Sequence, residues 1–260
     1  MTLDLVDTHA HLDGEAFVED LDAVLDRAMQ AGVRRIVSAG QDEATSAATI
    51  ALAAAHPALA PAVGVHPHEA KNAGDLTWLA AAAQNPAVVA VGEMGLDYHY
   101  DFSERSIQRD VFARQLDLAA RLDLPAIIHC REAEDDVALL LREHFDRSRR
   151  AVIHCWTGDW TSAKAFIDEF DVYLGIGGAA TFKNALQLHD TIARAPLDRL
   201  VLETDCPYMT PTPFRGKRNE PAHLALTCSR VAELRGSSEA EIAAATTANA
   251  ARLFPRLSPP

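Results

Sequence analysis

The sequence predicts an α/β protein folded as a single (β/α)₈ TIM barrel over residues 1–260. Three observations carry that expectation. Short β-rich runs alternate with helix-length patterns, eight such runs fit within the chain, and several of them end in side chains able to ligate a metal. Alternating strands and helices argue for a parallel sheet, and eight units in about this length argue for closure. An open doubly wound sheet would usually carry a Gly-rich phosphate turn after its first strand. Here that strand ends in His9-Ala10-His11 instead.

The expected strands are 4–8, 34–39, 60–65, 88–93, 126–129, 151–155, 172–176 and 200–204. Helical patterns fall between them at 16–31, 45–55, 104–121, 133–143, 161–169 and 183–193, with a weaker one at 76–83. A segment rich in Pro, Thr and basic residues, 206–219, follows the eighth strand, and helices at 222–235 and 239–253 close the chain. The chain shows no internal repeat and no low-complexity linker.

Hydrophobic residues make up 48% of the chain, enough for a sizeable core. The apolar runs are too short for a membrane span, and the first residues lack the apolar region of a secretory signal, so a cytoplasmic protein without a membrane role is expected. Nothing in the pattern calls for an obligate protein partner. Cys130, Cys155, Cys206 and Cys228 lack C-x-x-C spacing and read as reduced packing residues. The formal charge of −13 argues against passive binding of nucleic acid through a basic face. A local basic stripe or a metal site can still dominate the field where a substrate sits.

The chemistry lies at the strand ends. Successive strand residues point to opposite faces, so His9 and His11 project to the same side, and two imidazoles so placed can chelate one divalent ion. The fourth strand ends at Glu93, the fifth at His129, the sixth at His154 and the eighth with Glu203-Thr204-Asp205. Five strands ending this way converge at the mouth where barrel enzymes place their sites. Six nitrogen or oxygen ligands exceed one tetrahedral site and suit two divalent ions sharing a carboxylate. Glu93 is the natural bridge, and Asp205 is placed to bind a metal and to orient or deprotonate the attacking water. These two are the candidate catalytic residues. Glu203 lies deeper on the same face, as a support for the ligands or as a direct participant. Cys130 and Cys155 each follow a ligand histidine and are expected to point away from the metals.

These residues resemble the TatD family of metal-dependent deoxyribonucleases, within the wider amidohydrolase-like barrels. The resemblance runs nearly end to end. It is carried by Asp7-Thr8-His9-Ala10-His11-Leu12-Asp13, Gly64-Val65-His66-Pro67-His68, Gly92-Glu93-Met94-Gly95-Leu96-Asp97-Tyr98 and His154-Cys155-Trp156-Thr157-Gly158. Glu203-Thr204-Asp205-Cys206-Pro207, Arg215-Gly216-Lys217-Arg218-Asn219-Glu220-Pro221 and Asn249-Ala250-Ala251-Arg252-Leu253-Phe254 complete it. Ala10, Ala250 and Trp156 depart from what relatives often carry, and none is a candidate ligand. The resemblance implies one metal at His9, His11, Glu93 and Asp205 and a second at Glu93, His129 and His154. It also implies hydrolysis of DNA phosphodiester bonds, as a 3′–5′ exonuclease on single strands, with a metal-activated water.

Mg²⁺ or Mn²⁺ is favoured as the cofactor, and the histidines also permit Zn²⁺. Arg215, Lys217 and Arg218 either meet a phosphate backbone or form a solvated loop paired with Glu220. Arg131 either binds phosphate or braces an acidic neighbour. His66 is expected to contact substrate or support the ligands. Tyr98, Trp156 and Phe214 either stack on bases or pack. The competing enzyme reading is a metal-dependent ester or amide hydrolase, such as an aminoacyl-tRNA deacylase or a small-molecule amidohydrolase. A binding protein that lost turnover is the third reading, and the complete ligand set counts against it.

Overall fold

The computed structural model describes residues 3–257, so the two N-terminal and three C-terminal positions of the expected 1–260 domain lie outside the described residues. Eight strands form one sheet in chain order: β1 (Leu5–Ala10), β2 (Val33–Ala39), β3 (Leu59–Val63), β4 (Ala90–Asp97), β5 (Ala126–Arg131), β6 (Ala151–Ile153), β7 (Tyr173–Ile176) and β8 (Leu200–Leu202). Each neighbouring pair is parallel. An isolated parallel bridge between Ala10 and Cys206 brings the last strand back to the first. The eight-stranded barrel expected from the alternation is therefore the fold, nearly closed.

The seam between β8 and β1 is held by specific bonds. Asp205 N donates to His9 O at 2.9 Å and His11 N to Cys206 O at 2.8 Å. Thr8 Oγ1 donates to Leu202 O at 3.0 Å. Asp7, fully buried, accepts from Thr204 N at 2.9 Å and from Thr204 Oγ1 at 2.5 Å. Burial pushes the Asp7 carboxyl up to about 8, against the pull of the Thr204 bonds.

Around the sheet stand α1 (Leu21–Gln30), α2 (Glu43–Ala55), α3 (Thr77–Ala82), α4 (Arg105–Leu122), α5 (Glu134–His144), α6 (Trp160–Phe170), α7 (Leu186–Arg194), α8 (Leu224–Arg235) and α9 (Glu239–Leu253). Local chemistry sets several starts. Asp42 and Thr45 form a capping box on α2, and Ser238 and Glu241 form one on α9. Asp159 caps α6 through Ser162 N at 2.8 Å. The helix expected from residue 16 begins only at Leu21, because Phe17 N and Asp20 N bond three residues back in successive turns.

Strand residues such as Val6, Val37, Ile127, Val152 and Val201 form a core with Leu253 and Phe254 at the end of α9. Asn249 Nδ2 donates to Leu197 O at 2.8 Å and Leu200 O at 2.6 Å, and Arg256 donates to Val88 O at 3.1 Å. These acceptors lie at strand beginnings, so the end of α9 covers the N-terminal end of the barrel and leaves the opposite end for the site. Asn249 is completely buried. Asn249→Ala leaves two carbonyls without their donor and should cost about 1–3 kcal/mol of stability, read as a lowered midpoint in urea unfolding.

Six of the eight strands end elsewhere than expected, and three of these differences shape the site. β4 runs on to Asp97, because Met94, Gly95, Leu96 and Asp97 pair with Ile128, His129, Cys130 and Arg131. β6 stops at Ile153 and β8 at Leu202. Beyond them the backbone turns through left-handed residues, Cys155 at φ 46° and Asp205 at φ 55°, a conformation that is uncommon outside glycine and gathers at functional sites. Among the described residues no helix is long and apolar enough to cross a membrane.

Candidate metal centre

His9, His11, Glu93, His129, His154 and Asp205 meet at the C-terminal end of the barrel. With the exception of His129, which is part-exposed, they are buried. Glu93 stands at the centre and divides its two oxygens. Oε2 lies 3.4 Å from His9 Nε2 and 3.4 Å from His11 Nε2. Asp205 Oδ1 completes that group, 3.5 Å from His11 Nε2 and 3.8 Å from His9 Nε2. The other oxygen, Oε1, lies 2.7 Å from His154 Nε2, 2.9 Å from His129 Nδ1 and 3.4 Å from His66 Nε2.

The donor set fits divalent cations. The facing nitrogens of His9 and His11 are 3.1 Å apart, as are those of His129 and His154. A tetrahedral ion with bonds of about 2.0–2.2 Å separates its ligands by about 3.3–3.6 Å, close to the spacings in both groups. Glu93 Oε2 is buried without a hydrogen-bond partner among the described residues, which an accepted cation would satisfy. Three sets bring ligand atoms within 4.8 Å of one another: His9-Glu93-His154, His9-His11-Asp205 and His66-Glu93-His129. The last places His66 at ligand distance, nearer the centre than a substrate contact alone requires.

Electrostatics keeps the hub anionic. Burial opposes charge on Glu93, yet His154, His66 and His9 hold its carboxyl well below the usual range. Burial pushes His66 down to about 4, against the pull of Glu93, so its ring is neutral and keeps a free electron pair.

Two carboxylates behind the ligands were less visible in the sequence. Asp97 Oδ2 lies 3.1 Å from His129 Nε2 and 3.0 Å from His68 Nε2. An ionised Asp97 orients the His129 ring and leaves Nδ1 facing Glu93. Asp97 is itself fixed by His99 N and Tyr100 N, each donating to Oδ1 at 3.0 Å. Its signal was the stretch Glu93-Met94-Gly95-Leu96-Asp97, whose apolar and glycine content continues the strand past Glu93. Glu203 is wholly buried, accepts from Cys155 N, and lies 3.6 Å from His154 Nδ1. A Cβ on Gly175 would strike Glu203 Oε2, so that glycine makes the room. Glu203 thus supports the turn carrying His154. Asp97→Asn should weaken metal binding about 10–100-fold, checked by titrating metal into stripped protein calorimetrically.

The site opens into a cavity of about 520 Å³ lined in part by His11, His66, His129, Arg131, Asp205 and Tyr208. Cys130 and Cys155 also stand at its wall; Cys130 packs against the hydrophobic core as expected, whereas Cys155 lies nearer the site than expected. For Cys155 the reason is the early end of β6 and the left-handed turn. Burial, with Asp205 and Glu203 nearby, pushes the Cys155 thiol well up, so it stays protonated, and neither thiol belongs to a ligand group.

The basic cluster after β8 stays outside the cavity lining. Arg218 pairs with Asp20 at 2.7 Å, donates to Ala16 O and lies 3.9 Å from Glu220. It is a brace, because the late start of α1 leaves Asp20 within its reach. Arg215 lies over the Phe182 ring at 4.0 Å and Lys217 over Phe214 at 5.8 Å. Of the three aromatics singled out in the sequence, Tyr98 and Trp156 pack and Phe214 stays 37% exposed. Tyr98 donates to Asp136 Oδ2 at 2.5 Å, Trp156 is buried, and Phe214 stacks on His223 at 4.7 Å.

Comparison with known proteins finds matches across nearly the whole chain. The family model described as "TatD related DNase" matches residues 6–255. An uncharacterized metal-dependent hydrolase of Bacillus subtilis, YabD, is 42% identical, with 96% of this chain and 98% of the relative covered. A protein of Erwinia tasmaniensis named 3′-5′ ssDNA/RNA exonuclease TatD is 36% identical, with 96% and 99% covered. The crystal structure of YJJV, a TatD homolog from Escherichia coli, superposes with a TM-score of 0.93 at 36% identity, covering 98% of this chain and 99% of that one.

Proposed function

The chain belongs to the TatD-related DNase family and is a metal-dependent hydrolase acting on ester bonds, and from that premise we propose that it is a deoxyribonuclease that trims single-stranded DNA from the 3′ end with two divalent ions. The observation that carries the reading is the division of Glu93, with one oxygen toward His9 and His11 and the other toward His129 and His154.

In this reading His9, His11, Glu93 and Asp205 hold one ion, and Glu93, His129 and His154 hold the other, with Mg²⁺ or Mn²⁺ favoured and Zn²⁺ compatible with the imidazoles. Bound ions would supply Lewis-acid charge to a phosphoryl group and lower the pKa of water. Asp205 is the carboxylate placed to orient that water and take its proton. His66, held neutral by burial, offers its ring to Glu93 or to a phosphate oxygen. Arg131, at the cavity wall, is the basic residue we assign to the substrate phosphate. The four unpaired cysteines support a reducing, cytoplasmic setting.

The test is metal-stripped protein incubated with 3′-labelled single-stranded DNA, with Mg²⁺, Mn²⁺ or Zn²⁺ restored separately. Stepwise trimming that requires added metal and is lost in His129→Ala is expected. Two bound ions without trimming, but with cleavage of an acyl ester or amide, would move the assignment to acyl hydrolysis.

A further inference from the structure

Flat side chains run in a ladder from solvent into the cavity. Phe102 is 55% exposed and Tyr100 48% exposed. Their rings stack at 5.4 Å with 8° between planes. The Arg131 guanidinium carbon lies 4.7 Å from the Tyr100 ring centre. Tyr100 and Arg131 line the cavity. Among the described residues Arg131 forms no ion pair and no side-chain hydrogen bond, its guanidinium resting on the Tyr100 ring, although the chain carries a formal charge of −13. The Tyr100 backbone is tied to the site, because Tyr100 N is held by Asp97, whose other oxygen meets His129. Lys71 Nζ donates to Phe102 O at 3.0 Å at its outer end.

We propose that Phe102, Tyr100 and Arg131 form a stacking subsite for the nucleobases of an unpaired strand, with Arg131 also meeting the phosphate beside the scissile bond. The proposal rests on the nuclease reading and names how that site selects its substrate. Aromatic faces and guanidinium planes stack on any base, so the subsite is indifferent to sequence. It demands a base free of its duplex partner, since a paired and stacked base cannot turn onto the ladder. The unpaired guanidinium supplies the charge complement that the acidic surface lacks.

The test compares holoenzyme and Tyr100→Ala on a labelled single-stranded oligonucleotide, on the same oligonucleotide with its last two 3′ nucleotides abasic, and on methyl p-nitrophenyl phosphate. Metal content is measured for each protein. Tyr100→Ala should raise KM for the intact strand about 10–100-fold, with a smaller change in kcat and a smaller loss on the small diester. The abasic strand should impose a similar KM rise on the wild-type chain and little further rise on the variant. Equal KM for wild type and variant, or indifference of the wild-type chain to base removal, would overturn the subsite. The abasic comparison needs no substitution, so it decides even if the variant folds poorly. Hydrolysis of the small diester by wild-type holoenzyme without any cleavage of the strand would instead overturn the nuclease reading, and the subsite with it.

Discussion

Glu93→Ala should abolish most of the hydrolytic activity, with a loss of about 10³-fold or more, while the barrel remains folded. The magnitude follows from losing several kcal/mol of charge stabilisation when paired ions are no longer held. Glu93 is buried and is the one carboxylate that touches both ligand groups. Its removal leaves histidines that can face each other as neutral rings, so the fold loses little. Metal content by mass spectrometry, circular dichroism and rates on a phosphodiester substrate give the three readings. A variant that keeps two ions and the wild-type rate would remove Glu93 from the bridging role.

Asp205→Asn should lower kcat by about 10²–10⁴-fold, the range for loss of a positioned general base. The amide keeps the shape of the side chain and one oxygen near His11, so the fold and KM should change far less than kcat. The left-handed backbone at Asp205 also tolerates asparagine, which enters that region more readily than most residues. Steady-state kinetics at saturating metal checks this, and a kcat within a few-fold of wild type would reassign the proton to another group.

The order of the strands was readable because each is a short apolar run, and buried parallel strands carry that signature. Their ends were less readable. At β4 the polar Glu93 looked like a terminus, yet pairing with β5 carries the strand to Asp97. At β6 and β8 the ladder ends with the apolar run, at Ile153 and Leu202, and left-handed turns follow at Cys155 and Asp205. The six residues that meet at the barrel mouth were legible because histidines and carboxylates are unusual at the ends of apolar runs. Asp97 was hidden, since its role depends on the His129 ring reaching it across strands. For the basic cluster the sequence left a phosphate contact and a structural pairing both open. Proximity in sequence to β8 placed Arg218 near the site, whereas Asp20, nearly two hundred positions away in the chain, claims it. Of the stacking candidates, Trp156 is buried and Tyr98 bonds Asp136, whereas Phe214 stays 37% exposed, because an aromatic's exposure is decided by its neighbours and not by its own type.

The seam between β8 and β1 has a consequence for how the protein comes into being. Translation releases His9 and His11 well before Asp205, which arrives only with the eighth strand. Asp205 N reaches His9 O, and Cys206 O receives His11 N, only when that strand docks. A nascent chain therefore carries imidazoles early but cannot assemble the first ligand group until nearly all of its strands exist. Fragments released before the eighth strand lack Asp205 and the bonds that close the seam.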